Sequence, residues 1–103
     1  MLLHVVATHT GDNCPAYDRV RAALFGDAMS KMEELARRYE VKIHFLVSAA
    51  PEHRLFALLE TETLHAVGRF LVESLAIPHD FQITVVQTLD DARRILRPSI
   101  EQR

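Results

Sequence analysis

Hydrophobic and polar positions along the chain mark out its elements one after another. Leu3, Val5 and Ala7 alternate with His4, Val6 and Thr8, the period of a strand, so Leu2 to His9 reads as a first strand closed by a turn at Gly11-Asp12-Asn13. Asn13 or Cys14 then caps a helix with Pro15 in its first position, where proline's missing N–H costs nothing. Tyr17, Val20, Leu24, Ala28, Met32, Leu35 and Tyr39 recur at helical spacing, and their phase survives Gly26-Asp27; the pattern predicts one long helix bent there.

Two apolar runs, Val41 to Ser48 and Arg54 to Glu60, flank Ala49-Ala50-Pro51-Glu52-His53, and proline is excluded from a central strand. This is a hairpin. With Ser48 set opposite His53, Leu46 faces Leu55, His44 faces Ala57 and Lys42 faces Leu59. Thr61 or Thr63 caps a second helix whose stripe is Leu64, Val67, Gly68, Leu71 and Leu75, and Pro78 stops it. Phe81 to Thr88 is a fourth strand. A short helix follows, with Asp90 and Asp91 at its positive end and Arg93, Arg94 and Arg97 toward its negative end, until Pro98. The order β-α-β-β-α-β plus a C-terminal helix is an α+β, ferredoxin-like arrangement around a four-stranded antiparallel sheet. Residues 1–97 form its single domain, and 98–103 are read as a loose tail.

Each strand presents two sets of side chains. Leu3, Val5, Ala7, Ile43, Phe45, Val47, Phe56, Leu58, Phe81, Ile83 and Val85 are assigned to the side under the helices. His4, Val6, Thr8, His44, Leu46, Ser48, His53, Leu55, Ala57, Leu59, Gln82, Thr84 and Val86 are left on the open side. That second set is half apolar, a patch of the kind that marks an interface, and it predicts a homodimer packed sheet to sheet. The alternative is a monomer whose C-terminal helix folds over the open face with Leu89, Ala92, Ile95 and Leu96.

The resemblance to a known family rests on I-H-F-L-V-S at Ile43 to Ser48, F-A-L-L-E at Phe56 to Glu60 and I-P-H-D-F-Q-I-T-V-V at Ile77 to Val86. In these pieces and in its layout the chain resembles the dimeric α/β-barrel superfamily, which includes small monooxygenases, muconolactone-isomerase-like enzymes, haem-degrading proteins and a nickel-binding group. The resemblance implies the fold and the dimer. It also makes His44 the counterpart of a second-strand histidine of the nickel-binding group, while Ala57 stands where that group often has a cysteine.

Composition narrows the chemistry. The chain has 103 residues, 49% hydrophobic and 25% charged, with a formal net charge of −2. Its twelve basic residues are scattered and outnumbered by fourteen carboxylates, which disfavours a nucleic-acid surface. The N-terminal MLLHVVA lacks a basic start and is too short for a signal or a membrane span, so a soluble cytoplasmic protein with no membrane partner is expected. The lone Cys14 forms no internal disulfide, in keeping with a reducing compartment.

Six histidines are many for this length, and histidine is the commonest metal ligand. In the expected strand order, second-third-first-fourth, the end of the first strand and the starts of the third and fourth share one rim. His9, His53 and His79 therefore lie together, with Asp12, Cys14 and Asp80 near them. Imidazole plus thiolate suits nickel, zinc or copper. None of these residues falls in a recognised metal spacing, so a rim of ordinary loop residues is the competing reading. Cys14 is a reactive thiol or, more simply, a small packing residue.

His4 and His44 form a second constellation on the open face, the interior of a dimeric barrel, and His65 is placed in solvent. The resemblance implies a small-molecule pocket between sheet and helices, here lined by Val5, Tyr17, Tyr39, Phe45, Phe56 and Phe81, with Tyr17, Tyr39 or His9 as acid or base; the same residues equally describe a filled core, the commoner outcome. No Ser-His-Asp set, phosphate loop or paired-carboxylate motif is present, which disfavours hydrolase and nucleotide chemistry. The leading expectation is a homodimeric protein binding a metal or ligand through histidines. A cofactor-free monooxygenase or isomerase of small aromatic or polyketide-like molecules, and an accessory module without a ligand, are the alternatives.

Overall fold

The computed structural model describes residues 1–101, apart from the side chains of Tyr17 and of residues 98–101. Four strands and four α-helices follow one another as β1 (Leu2–Thr8), α1 (Arg19–Ser30), α2 (Met32–Arg38), β2 (Lys42–Ala49), β3 (Arg54–Glu60), α3 (Leu64–Leu75), β4 (Asp80–Val86) and α4 (Leu89–Glu101). Three 3-10 turns occur at Gly11–Asn13, Pro15–Tyr17 and Ala50–Glu52. The sheet is antiparallel in the order β2-β3-β1-β4, as the sequence predicts. This α+β architecture is compatible with a ferredoxin-like fold.

Except at Ile43, which lies on the helix side as expected, the faces of the hairpin are the reverse of the expectation. Leu3 pairs with Leu59 and Val85, Val5 with Ala57 and Ile83, and Ala7 with Leu55 and Phe81. Residues directly opposite in antiparallel strands point to the same side. Leu55, Ala57 and Leu59 therefore join Leu3, Val5 and Ala7 in the buried core beneath the helices, with Ile43 and Leu46 packed against it. Phe45, Val47, Phe56 and Leu58 lie on the open face instead. Both sets of hairpin side chains are apolar, so alternation fixes their period but not their phase, and a shift of one residue turns every side chain over. Phe81, Ile83 and Val85 do lie on the helix side as predicted. The helices leave that edge partly open, and Val85 is 62% exposed.

The hairpin register also moves. Ser48 pairs with Leu55, Leu46 with Ala57 and Ala49 with Arg54, because His53 adopts a left-handed conformation (φ 56°, ψ 41°) and belongs to the turn. Ile43 pairs with Leu59 and Phe45 with Leu58, so His44 is an extra residue in a bulge and does not face Ala57.

Helix boundaries differ for local reasons. α1 begins at Arg19 and not at Pro15, because the Asp18 carboxylate accepts from the N–H groups of Val20 (2.8 Å) and Arg21 (3.2 Å), donors otherwise left unsatisfied. Pro15 opens only a 3-10 turn. The break falls at Lys31, whose N–H bonds Ala28 O, and not at Gly26-Asp27. Ala28, Met32, Leu35 and Ala36 are buried, with Phe25 and Met29 beside them, while Val20 and Leu24 point outward.

α3 is capped by Thr63, whose hydroxyl accepts from Ala66 N–H at 3.2 Å, and ends at Ala76 in the left-handed region (φ 61°). It buries Val67, Phe70, Leu71 and Leu75, and exposes Leu64. Phe70, Leu3, Leu59 and Leu75 are wholly enclosed, each contributing about 1.5–3 kcal/mol of apolar burial. The Tyr39 hydroxyl donates to Glu73 Oε1 at 2.7 Å and ties the end of α2 to α3.

α4 runs past Pro98 to Glu101, although a proline inside a helix removes one N–H from the ladder and crowds the carbonyl four residues back. The predicted loose tail thus begins inside a helix, and residues 102 and 103 lie outside the described residues. Among the described residues α4 has no extended packing against any other element, and its Leu89 (76%), Ile95 and Leu96 are exposed. The molecule measures 61 × 29 × 18 Å with a radius of gyration of 16.6 Å, against roughly 13 Å for a compact domain of this length. Among the described residues no helix is long and apolar enough to cross a membrane.

Candidate metal centre

Strand order builds the site. Thr8 pairs with Arg54 on one side and Asp80 on the other, so the residues just beyond these pairs, His9, His53 and His79, meet at one rim. The His9 backbone N–H donates to His53 O at 3.1 Å and locks the end of β1 to the hairpin turn. The His9 ring stands edge-on to both neighbours, with centroids 5.2 Å from His53 and 5.1 Å from His79.

Cys14 arrives by a reversal of the chain. Asn13 N–H bonds Thr10 O and Cys14 N–H bonds Gly11 O, folding the segment back toward the rim. Pro15 holds Cys14 extended (φ −66°, ψ 126°). The thiol is free, buried and 6% exposed; it caps a 3-10 turn and not the long helix. One ligating atom from each of His9, Cys14 and His53 lies within 4.8 Å of the others.

His79 has a different place. Its Nδ1 lies 2.9 Å from Ile77 O, and a carbonyl only accepts, so that nitrogen carries the proton. With both rings uncharged, His79 Nε2 then accepts from His9 Nδ1–H at 3.3 Å. His9 Nε2 is left as a bare lone pair, buried and with no hydrogen-bond partner among the described residues. Burial, followed by the neighbouring His79 and His53 rings, holds the His9 pKa below the usual histidine value and favours this neutral form. His79 in turn stacks on Phe81, with centroids 6.0 Å apart. It orients His9 from behind and does not belong to the donor group.

The three donors stand in the wall of a cavity of ≈360 Å3, with Phe25, Leu55, Pro15 and Pro51 forming much of the remainder. Sequence reasoning did not single out this chamber. Its signals were present in Phe25, one turn ahead of the buried Ala28, and in Leu55, two residues beyond His53.

The other candidates separate. Asp12 and Asp80 are exposed and outside the donor group. His4 lies on the open face, paired with Leu58 and Thr84, while His44 Nε2–H donates to Glu60 Oε1 at 2.8 Å. That hydrogen bond is the main reason the Glu60 pKa lies below the usual carboxylate value. His65 is exposed, as expected. The aromatic pocket of the sequence reading does not assemble. Phe45 and Phe56 are on the open face, Phe81 is on the helix side against His79, and Tyr39 bonds Glu73 with the Arg69 guanidinium 5.7 Å over its ring. The Tyr17 side chain lies outside the described residues.

No family model matches the chain, and no curated protein matches it.

Proposed function

We propose that this protein binds a divalent transition metal through Cys14 Sγ, His9 Nε2 and an imidazole nitrogen of His53. The observation that carries the reading is the convergence of one donor atom each from His9, Cys14 and His53 within 4.8 Å; beside it, His9 Nε2 is buried with no hydrogen-bond partner among the described residues. A tetrahedral ion, with bonds of about 2.0 Å to nitrogen and 2.3 Å to sulfur, needs its donors roughly 3.3–3.6 Å apart, so side-chain movements of about 1 Å close the site. A thiolate with two imidazoles suits zinc, copper or nickel. His79 acts as the outer partner that ligating histidines ordinarily have, fixing the tautomer of His9. Elemental analysis of untagged protein tests this. One equivalent of metal per chain, lost in Cys14→Ser and His53→Ala while circular dichroism stays unchanged, is the expected result. Protein that stays empty after incubation with zinc, nickel and copper would overturn it.

A homodimer on a ferredoxin-like fold is the accompanying proposal. It is favoured by the open face, where Phe45 (41%) and Val47 (52%) stand exposed, and by the uncovered apolar side of α4. Both surfaces belong to one chain, and a second copy would cover them with self-complementary contacts.

A further inference from the structure

We infer that the metal site is a receptor for small apolar molecules carrying a monoanionic donor group, a thiolate or a carboxylate, which takes the coordination position left open by the protein. The inference rests on the metal-binding reading above and goes on to name the ligand class.

Three protein donors leave a tetrahedral ion one position short, the arrangement of sites that bind exchangeable ligands, whereas structural zinc sites are closed by four side chains. Here His9, Cys14 and His53 all stand in the wall of one cavity, so a ligand seated there reaches the ion directly. The cavity of ≈360 Å3 is at the small end of pockets for organic molecules, roughly 300–1,000 Å3. Phe25, Leu55, Pro15 and Pro51 surround it, and Ser48 supplies a hydroxyl for a second atom of the head group.

Charge selects the head group. A divalent ion with one thiolate and two neutral imidazoles carries a net charge of about +1. Among the described residues the cavity wall holds no lysine, arginine, aspartate or glutamate, so none of them offsets that charge. Leaving it uncompensated beside apolar walls is unfavourable. A monoanion brings the sum to zero, a dianion such as a phosphate monoester overshoots it, and a neutral amine leaves it unchanged. The apolar walls then require an apolar body behind the anionic atom.

Cobalt(II)-loaded protein supplies the test, because the visible spectrum of cobalt changes when its fourth ligand does, independently of any activity. Benzoate and thiophenol serve as monoanion probes, benzamide as the neutral analogue and phenyl phosphate as the dianion. The expected result is a saturable spectral change for benzoate, thiophenol or both, at roughly tenfold or more lower concentration than for benzamide or phenyl phosphate, with cobalt retained after desalting. Which monoanion wins identifies the head group. Ala50→Trp, which fills the cavity from an exposed wall position and replaces none of the three donors, is expected to keep cobalt and lose the response. Normal cobalt uptake with no response to either monoanion, or an equal response to benzamide or phenyl phosphate, overturns this inference and leaves the metal reading intact. Failure to bind cobalt, zinc or nickel at all removes both.

Discussion

His79 and His9, seventy residues apart in the chain, stand with Nε2 of the first 3.3 Å from Nδ1 of the second, and Ile77 O fixes the direction of that contact from the far side. The pair leaves His9 Nε2 as the ring nitrogen available to the donor group. Removing His79 while leaving all three donors in place is therefore expected to weaken metal binding by about 10–100-fold without abolishing it. Competition of His79→Phe against a chelating dye measures this. Unchanged affinity would mean that His9 needs no support, and complete loss would mean that His79 is itself a ligand.

Cys14 gives an independent reading of the same site. A buried thiol held by a metal is shielded twice, by its neighbours and by the bond to the ion. Alkylation of Cys14 by iodoacetamide is expected to slow by at least roughly tenfold when one equivalent of zinc is added, and to recover with a chelator. Mass spectrometry of the alkylated chain follows it, and equal rates with and without zinc would separate the cysteine from the metal.

The rim that gathers these residues was legible in the sequence because it depends only on strand order. Once β1 is central, the residues after its end and before β3 and β4 must be neighbours, whatever their side chains do. The faces of the hairpin were not legible. Phe45, Val47, Phe56 and Leu58 are as apolar as Leu46, Leu55, Ala57 and Leu59, and the choice between them is made by pairing with β1, a long-range contact that no local pattern contains. The bulge at His44 shifts the phase again within one strand. Helix starts were missed for a similar reason: Pro15 and Asp18 both announce a beginning, and the carboxylate of Asp18, which satisfies two N–H groups, prevails.

Tyr39 and Glu73 carry the acid-side prediction. The Tyr39 hydrogen bond, foremost, and then Arg69 hold the Glu73 pKa below the usual value, while burial opposes them. A carboxylate depressed in the folded state adds stability above its unfolded pKa and loses it as pH falls through the folded one. In Tyr39→Phe the Glu73 value is expected to rise toward normal, and acid unfolding to begin at higher pH. A carboxyl-carbon NMR titration of Glu73 that is unchanged in the variant would refute this.

Phe70 sits wholly enclosed in the core on α3. Phe70→Ala is expected to cost about 3–5 kcal/mol in a urea unfolding experiment, through lost transfer energy and the cavity left behind. It lies outside the chamber wall, so the folded variant should still take up zinc. A cost below about 1 kcal/mol would mean that the core closes over the gap.

The open face bears on assembly. Val47 projects from it on the edge strand beside Phe45 and Phe56, in an apolar group that includes Leu58, and it contributes nothing to the buried core on the other side. Val47→Lys therefore leaves the fold of the single chain intact. In a sheet-to-sheet dimer the same ammonium group would be forced out of water without a counter-charge, and that is costly. Sedimentation equilibrium is expected to give the mass of two chains for the wild type and of one chain for Val47→Lys, with identical far-ultraviolet circular dichroism. Leu96→Lys, on α4, separates the contribution of that helix. If it too yields single chains, α4 of one copy is part of what covers the other; if the dimer survives, the sheets alone hold it. A wild-type protein sedimenting as one chain at high concentration would mean that neither surface pairs with a second copy.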